Sequence, residues 1–449
     1  MKIIFKLSFL VGFVISMTSC MQSQNEKTSW PQWRGPMDTG VALPGNPPSE
    51  FGENTNLKWK TEIPGKGHAT PIVWGNQIIL LTAVPIEKAD IEEPEADEAE
   101  EGQSGRRQRM SFSETDLVHE FKVISVNKKT GEIDWEKTVT EEVPLEKTHG
   151  LGSWASNSPV TDGKFIYAYF GSRGLYCLDF KGNIIWEKDW GQMEKHMSFG
   201  EGSSPALYKN RIVVLWDHNG ESFIVALDTK TGDEIWKIDR DEGTSWSSPL
   251  ILEVNDKPQV ITNATNKVRS YDLETGEIIW ESTGMTRNVI PNPIYGDGIL
   301  YLMSGYRGEA LQAIDLANAK GDITGTDVIL WEYNQDTPYT PCPVLMDGYL
   351  YFLRVNNGAL TCLDARTGEV QYSKEKVEGI SSIFSSPTGA GGMLYIAGTE
   401  NVTVVKAGPE FEIISQNPLD DTFHASPVII GDELFLRGFK SLYCFSKNE

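Results

Sequence analysis

The residues in this 449-residue chain that could do chemistry are few and scattered. The six histidines are His68, His119, His149, His196, His218 and His424, and no two of them stand at metal-ligand spacing. His68 and His424 sit in matching frames, His-Ala-Thr-Pro and His-Ala-Ser-Pro. They could share a metal or a proton, or simply cap two equivalent loops. No Cys-x-x-Cys occurs, which removes zinc ribbons, thioredoxin chemistry and c-type haem attachment. The chain also lacks His-Glu-x-x-His, Gly-x-Ser-x-Gly and a phosphate-cradling glycine loop. Cys177, Cys362 and Cys444 recur in look-alike frames (LYCLD, LTCLD, LYCFS). With Cys342 they read as small buried hydrophobes rather than nucleophiles or disulfide partners.

Aromatic residues form a more promising pattern. Trp154, Phe199, Trp246, Tyr339, Phe384 and Phe423 each stand a few residues before a proline, with His68, Arg287 and His424 close to such positions. If those loops converge, they make an aromatic collar able to stack a flat ligand, a sugar or an extended peptide. The competing reading is that the same rings pack between neighbouring units.

What would bring the loops together is a repeat. Prolines preceded by small or polar residues recur at Pro71, Pro159, Pro205, Pro249, Pro293, Pro343, Pro387 and Pro427, mostly 40 to 50 residues apart, with a first interval of 88. Each opens an apolar run, followed by tight turns and further short β-patterned runs. The copy SPALYKNRIVVLWDHNGESFIVALDTKTGDEIW over residues 204–236 is the clearest. Four short strands per unit describe one blade of a propeller. Within that copy, Asp228 and Thr231 suit a turn whose amides they satisfy, Gly232 suits a positive φ, and Trp236 suits packing on the next blade. Trp59, Trp135, Trp186, Trp280 and Trp331 are placed to dock in the same way. The expected fold is therefore all-β, an eight-bladed β-propeller. Its last unit ends at Cys444-Phe445 without a fourth strand, while Leu57-Lys58-Trp59-Lys60 reads as a fourth strand with no blade before it. The N-terminal strand should close the ring, which leaves no sheet edge exposed.

The expected organisation is a signal peptide over 1–19, a lipid-anchored tether with a WPQWRGP segment over 20–56, and the propeller over 57–449. Residues 85–118, with nine acids between Glu87 and Glu101, read as a solvated insertion in the first blade. Lys2 and Lys6 precede an apolar stretch too short to span a bilayer, which ends at Met17-Thr18-Ser19-Cys20. Small residues before a cysteine resemble a bacterial lipobox, with Cys20 as the lipidated residue. Met21, where inner-membrane retention would call for Asp, points to the outer membrane. Removing Lys2 and Lys6 leaves 38 basic against 63 acidic residues, a net charge of −25, which argues against nucleic acid or anionic lipid as the main partner. The membrane is then met through the anchor only, and the chain is expected to be a monomer.

The repeat, the lipobox and the blade count together resemble the pyrroloquinoline-quinone-like (PQQ-like) propeller proteins, BamB-like outer-membrane assembly lipoproteins among them. The resemblance runs from about Leu57 to Phe445, and WPQWRGP at residues 30–36 resembles the opening of secreted propellers of this group. Part of the group consists of quinoprotein dehydrogenases. For those the resemblance implies a vicinal disulfide, a calcium held by acidic and amide side chains, and a catalytic Asp. No adjacent cysteines occur here. Three readings follow. The favoured one is a non-catalytic envelope scaffold that binds envelope proteins, with no cofactor and no metal. The others are a PQQ- and calcium-dependent oxidoreductase and a binding module for glycan or peptide.

Overall fold

The computed structural model describes residues 28–88, 117–144 and 146–447. The signal peptide, Cys20 and most of the acidic insertion therefore lie outside the described residues. The described residues form eight sheets, one per repeat proline, antiparallel but for one short added strand. The third is the simplest: Ala206–Tyr208, Arg211–Trp216, Ser222–Asp228 and Glu234–Arg240, paired in sequence order. The repeat prolines stand at or just before the innermost strands, where a missing N–H breaks no ladder. The eighth sheet is completed by Leu57–Glu62, antiparallel to Ser441–Ser446, with Trp59 opposite Cys444 and Thr61 opposite Leu442. The ring is thus closed by strand exchange between the two ends of the propeller.

The joints between blades are built from the docking residues. In the third blade, the Asp228 carboxylate accepts the N–H groups of Lys230 (2.8 Å) and Thr231 (3.2 Å), and the Thr231 hydroxyl accepts that of Asp233. Gly232 then takes φ +72°, and a Cβ there would stand 2.8 Å from the Trp186 indole of the previous blade. Trp59, Trp135, Trp236 and Trp331 lie in the same way over Gly131, Gly182, Gly276 and Gly368. In all five joints the indole N–H donates to a carbonyl of the next blade's turn, at 2.8–3.1 Å. Trp280 differs. The fifth blade has no Asp-x-x-Thr-Gly turn, and its longer connection covers Trp280 with Leu316, Ala319 and Ile323 instead. Gly321–Asp322 of that connection adds a short parallel strand to the fourth blade.

The insertion begins later than 85–118. Gln77–Lys88 and Leu117–Asn127 stay paired out to Lys88 opposite Leu117, so both flanks of the acidic run belong to one long hairpin. The four cysteines of the propeller are free and buried. Burial pushes the thiols of Cys177, Cys362 and Cys444 up to about 12, so none is a thiolate at neutral pH.

Candidate functional site

The residue before each repeat proline belongs to a closed circle of hydrogen bonds around the channel. The backbone N–H of Thr70 donates to the Ser158 hydroxyl (2.9 Å), Ser158 to Ser204 (2.9 Å), Ser204 to Ser248 (2.8 Å), and Ser248 to the Asn292 side-chain oxygen (2.8 Å). Asn292 then donates to the Cys342 sulfur (3.2 Å), Cys342 to Ser386 (2.8 Å), Ser386 to Ser426 (3.0 Å), and Ser426 back to Thr70 (3.0 Å). Each blade is thereby tied to the next at its innermost point, and every one of these buried N–H groups is satisfied.

Below this circle the N-terminal segment fills the channel. Trp30 is 1% exposed and pairs through its backbone with Val73 of the first blade. The Pro31 carbonyl accepts the Thr161 N–H of the second blade. The Arg34 guanidinium is buried and donates to the carbonyls of Pro343 (2.8 Å) and Pro387 (3.2 Å) across the ring. Gly40 and Ala42 pair with Gly389 of the seventh blade. Asp38 accepts a hydrogen bond from Gln32 (2.7 Å), and burial pushes its carboxyl up to about 7. Trp33 closes the passage, its indole N–H on the Ser426 hydroxyl (3.3 Å).

The channel is therefore a blind cup of about 470 Å³, within the ordinary range for small-molecule sites. Trp33 and the hydroxyls of Thr70, Ser158, Ser204 and Ser426 belong to its floor, and ring-bearing residues make up half of its wall. Six of the collar residues come together here: His68, Phe199, Trp246, Tyr339, Phe384 and His424. Three do not. Phe423 is 1% exposed and packs on Tyr443 between the seventh and eighth blades. Trp154 turns behind the wall, its indole N–H on the Glu146 carbonyl (3.0 Å) and its ring against His119. Arg287 is exposed outside the cup. The connecting loops differ in length, so a similar offset from a proline does not give a similar direction. Tyr306 and His149 were not in the collar read from the sequence, and Trp33 reads there chiefly as packing the N-terminal tail onto the ring, with a binding role second. Trp33 lies more than 300 residues from its partner Ser426, and Tyr306 stands in the loop between the second and third strands of its blade.

His68 and His424 are indeed neighbours, with ring centroids 4.7 Å apart edge to face, and both contact Phe439. Burial holds the His68 imidazole well below its ordinary range, and burial also pushes His424 down to about 4. Both are neutral at pH 7. Lys195 stands behind the wall, its ammonium 5.7 Å from the Trp246 ring centroid and bonded to the carbonyls of Asp217 and Ser245. Burial lowers its pKa to about 8. Glu201 is the one carboxylate in the lining. It is already engaged by the backbone N–H and hydroxyl of Ser172 and by Arg173.

A family model for outer membrane protein assembly factor BamB matches residues 119–374 and 225–448. The chain belongs to this family. A family relative, the outer membrane protein assembly factor BamB of Yersinia pestis, is 20% identical over 345 residues, covering 72% of this chain and 80% of that one. The solved BamB of Moraxella catarrhalis superposes with a TM-score of 0.50 at 12% identity, over 81% of this chain and 98% of that one. A europium-containing methanol dehydrogenase superposes with a TM-score of 0.64 at 11% identity, over 95% and 100%. At such identities the likeness establishes the propeller and leaves its use to the site.

The cup's residues do not fit the quinone and metal implied for the dehydrogenases. A quinone bearing several carboxylates needs cations, yet among the described residues no Lys or Arg lines the cup, and the free cysteines are far from adjacent in sequence. Among the described residues no group of three or more His, Cys, Asp or Glu is arranged to hold a metal ion.

Proposed function

We propose that this family member is a non-catalytic cell-envelope lipoprotein, anchored in the outer membrane through Cys20, that acts as a scaffold and engages a component of the envelope at its channel mouth. The observation that carries the reading is the cup itself: preformed, walled by aromatic rings, and without a nucleophile beside a base or a poised acid–base pair. Such a site holds a ligand and gives it nothing to react with. The family's description as an outer membrane protein assembly factor supports an envelope setting and protein partners. Aliphatic side chains left exposed on successive outer strands, at Ile133, Ile185, Ile235, Ile278, Leu330 and Val370, support docking along the circumference.

The reading is tested by affinity capture from detergent-solubilised envelope, comparing the wild-type chain with Trp246→Ala/Tyr339→Ala. Components recovered by the wild type and missing from the equally folded variant are the expected result. Equal recovery by both, or dye-coupled alcohol oxidation on adding quinone and calcium, contradicts it.

A further inference from the structure

We infer that the chemistry recognised by the cup is that of an uncharged oligosaccharide, laid with the C–H face of a pyranose ring against the Trp246 or Tyr339 side chain. This rests on the proposed reading of the channel mouth as a binding site and specifies its ligand class.

Charge narrows the choice first. The described lining offers no cation for direct contact, and its one carboxylate, Glu201, is bound to Ser172 and Arg173, so an anionic ligand would be desolvated beside a like charge with no counterion touching it. An aromatic cage can hold a cation, but here Lys195 stands behind Trp246 and Lys66 stands 5.7 Å from the Phe439 ring that backs both histidines. Those ammonium groups oppose a third positive charge. His68 and His424 add none, being held neutral by burial.

Backbone commitments narrow it further. A peptide main chain entering the cup would need N–H and carbonyl partners. The eight N–H groups at the floor are spent on the circle from Thr70 to Ser426. Inner-strand groups of the first, second, sixth and seventh blades (Val73, Thr161, Leu345 and Gly389) are paired with the N-terminal segment. A buried peptide would leave polar groups unmatched, which is costly.

A neutral sugar has no such demand. Its apolar face needs an aromatic ring, while its hydroxyls radiate outwards to water at the mouth and to side chains such as Ser156, Thr340 and Asn356. The rings are already ordered. Trp246 donates its indole N–H to the Gly200 carbonyl (2.7 Å), and Tyr339 stacks on Tyr306 at 4.8 Å and 23°. Little conformational entropy remains to be lost on binding.

The experiment is a titration of intrinsic tryptophan fluorescence of the full chain in detergent with maltotriose, cellotriose and tri-N-acetylchitotriose. A parallel arm uses a library of uncharged aromatic- and proline-rich peptides. A saturable response to at least one saccharide is expected, weakened about tenfold or more in Tyr339→Ala or, read by calorimetry, in Trp246→Ala; a response unchanged in both overturns the placement in the cup. The response should be retained in Tyr339→Phe and in Trp154→Ala, which lies behind the wall, with far-UV circular dichroism certifying each fold. If the free saccharides are silent, mild periodate treatment of the solubilised envelope asks whether the glycan is carried by a partner. Capture that periodate abolishes supports the inference. A response to peptides alone, lost in Tyr339→Ala, overturns the sugar and keeps the cup. Silence in every arm, with capture unaffected by periodate, overturns both.

Discussion

His68 and His424 look in sequence like a candidate pair for a metal or a shared proton, and their adjacency was readable from matching frames in units that ring closure brings together. Their chemistry was not. It depends on Phe439, Phe384 and the backbone around them, which remove water and disfavour the imidazolium. This has a consequence for stability. An imidazole depressed in the folded state binds its proton more readily when unfolded, so the folded state loses ground as pH falls from the ordinary histidine value near 6.5 towards about 4. Asp38 works in the opposite sense. Its carboxyl is raised to about 7 by burial, so protonation below that value favours the folded chain. The two effects separate by substitution. The melting temperature of His68→Asn/His424→Asn should fall less between pH 7 and pH 5 than that of the wild type. A steeper fall in the variant would show that the imidazoles are not the groups taking up protons on unfolding.

At the scale of elements, the blades were legible because a proline opens every inner strand, and most joints because an Asp-x-x-Thr-Gly turn, complete in the third, fourth and sixth blades, and a docking tryptophan recur. The stray strand at Trp59 was legible by subtraction, since Cys444-Phe445 ended a blade one strand short. The hydrogen-bonded circle was only half visible. Small or polar residues before the prolines could be seen, but their link into a ring requires the loops to meet. Cys342 shows what each position does: its sulfur accepts the Asn292 N–H, while its own N–H donates to Ser386. Cys342→Ser keeps an acceptor and should change unfolding free energy by no more than about 0.5 kcal/mol, whereas Cys342→Ala leaves a buried N–H unmatched and should cost about 1–3 kcal/mol. Equal stability of the two variants in urea titrations would mean that the circle is geometry without energetic weight. The WPQWRGP segment was legible as a tail that packs onto the ring; that it plugs the channel was not, because it has no periodicity and its partners at Pro343 and Pro387 lie more than 300 residues away.

At the scale of the whole molecule, ring closure and plugging act together. The segment that fills the lower channel goes on to supply the eighth blade's outer strand, so the cup has a floor only when the ring is shut. A propeller open at both ends would offer a passage; this one offers a site with a single mouth, whose described lining carries Glu201 but no Lys or Arg. This mouth is where the protein is proposed to meet its ligand. The most direct measurement places a photo-crosslinking benzoylphenylalanine at Tyr339, inside the cup, and separately at Arg287, exposed outside it, in cells producing the full chain. A specific envelope adduct from position 339 and none from 287 is the predicted result. Adducts from 287 alone, or none from 339 in a protein that remains folded, would contradict the account.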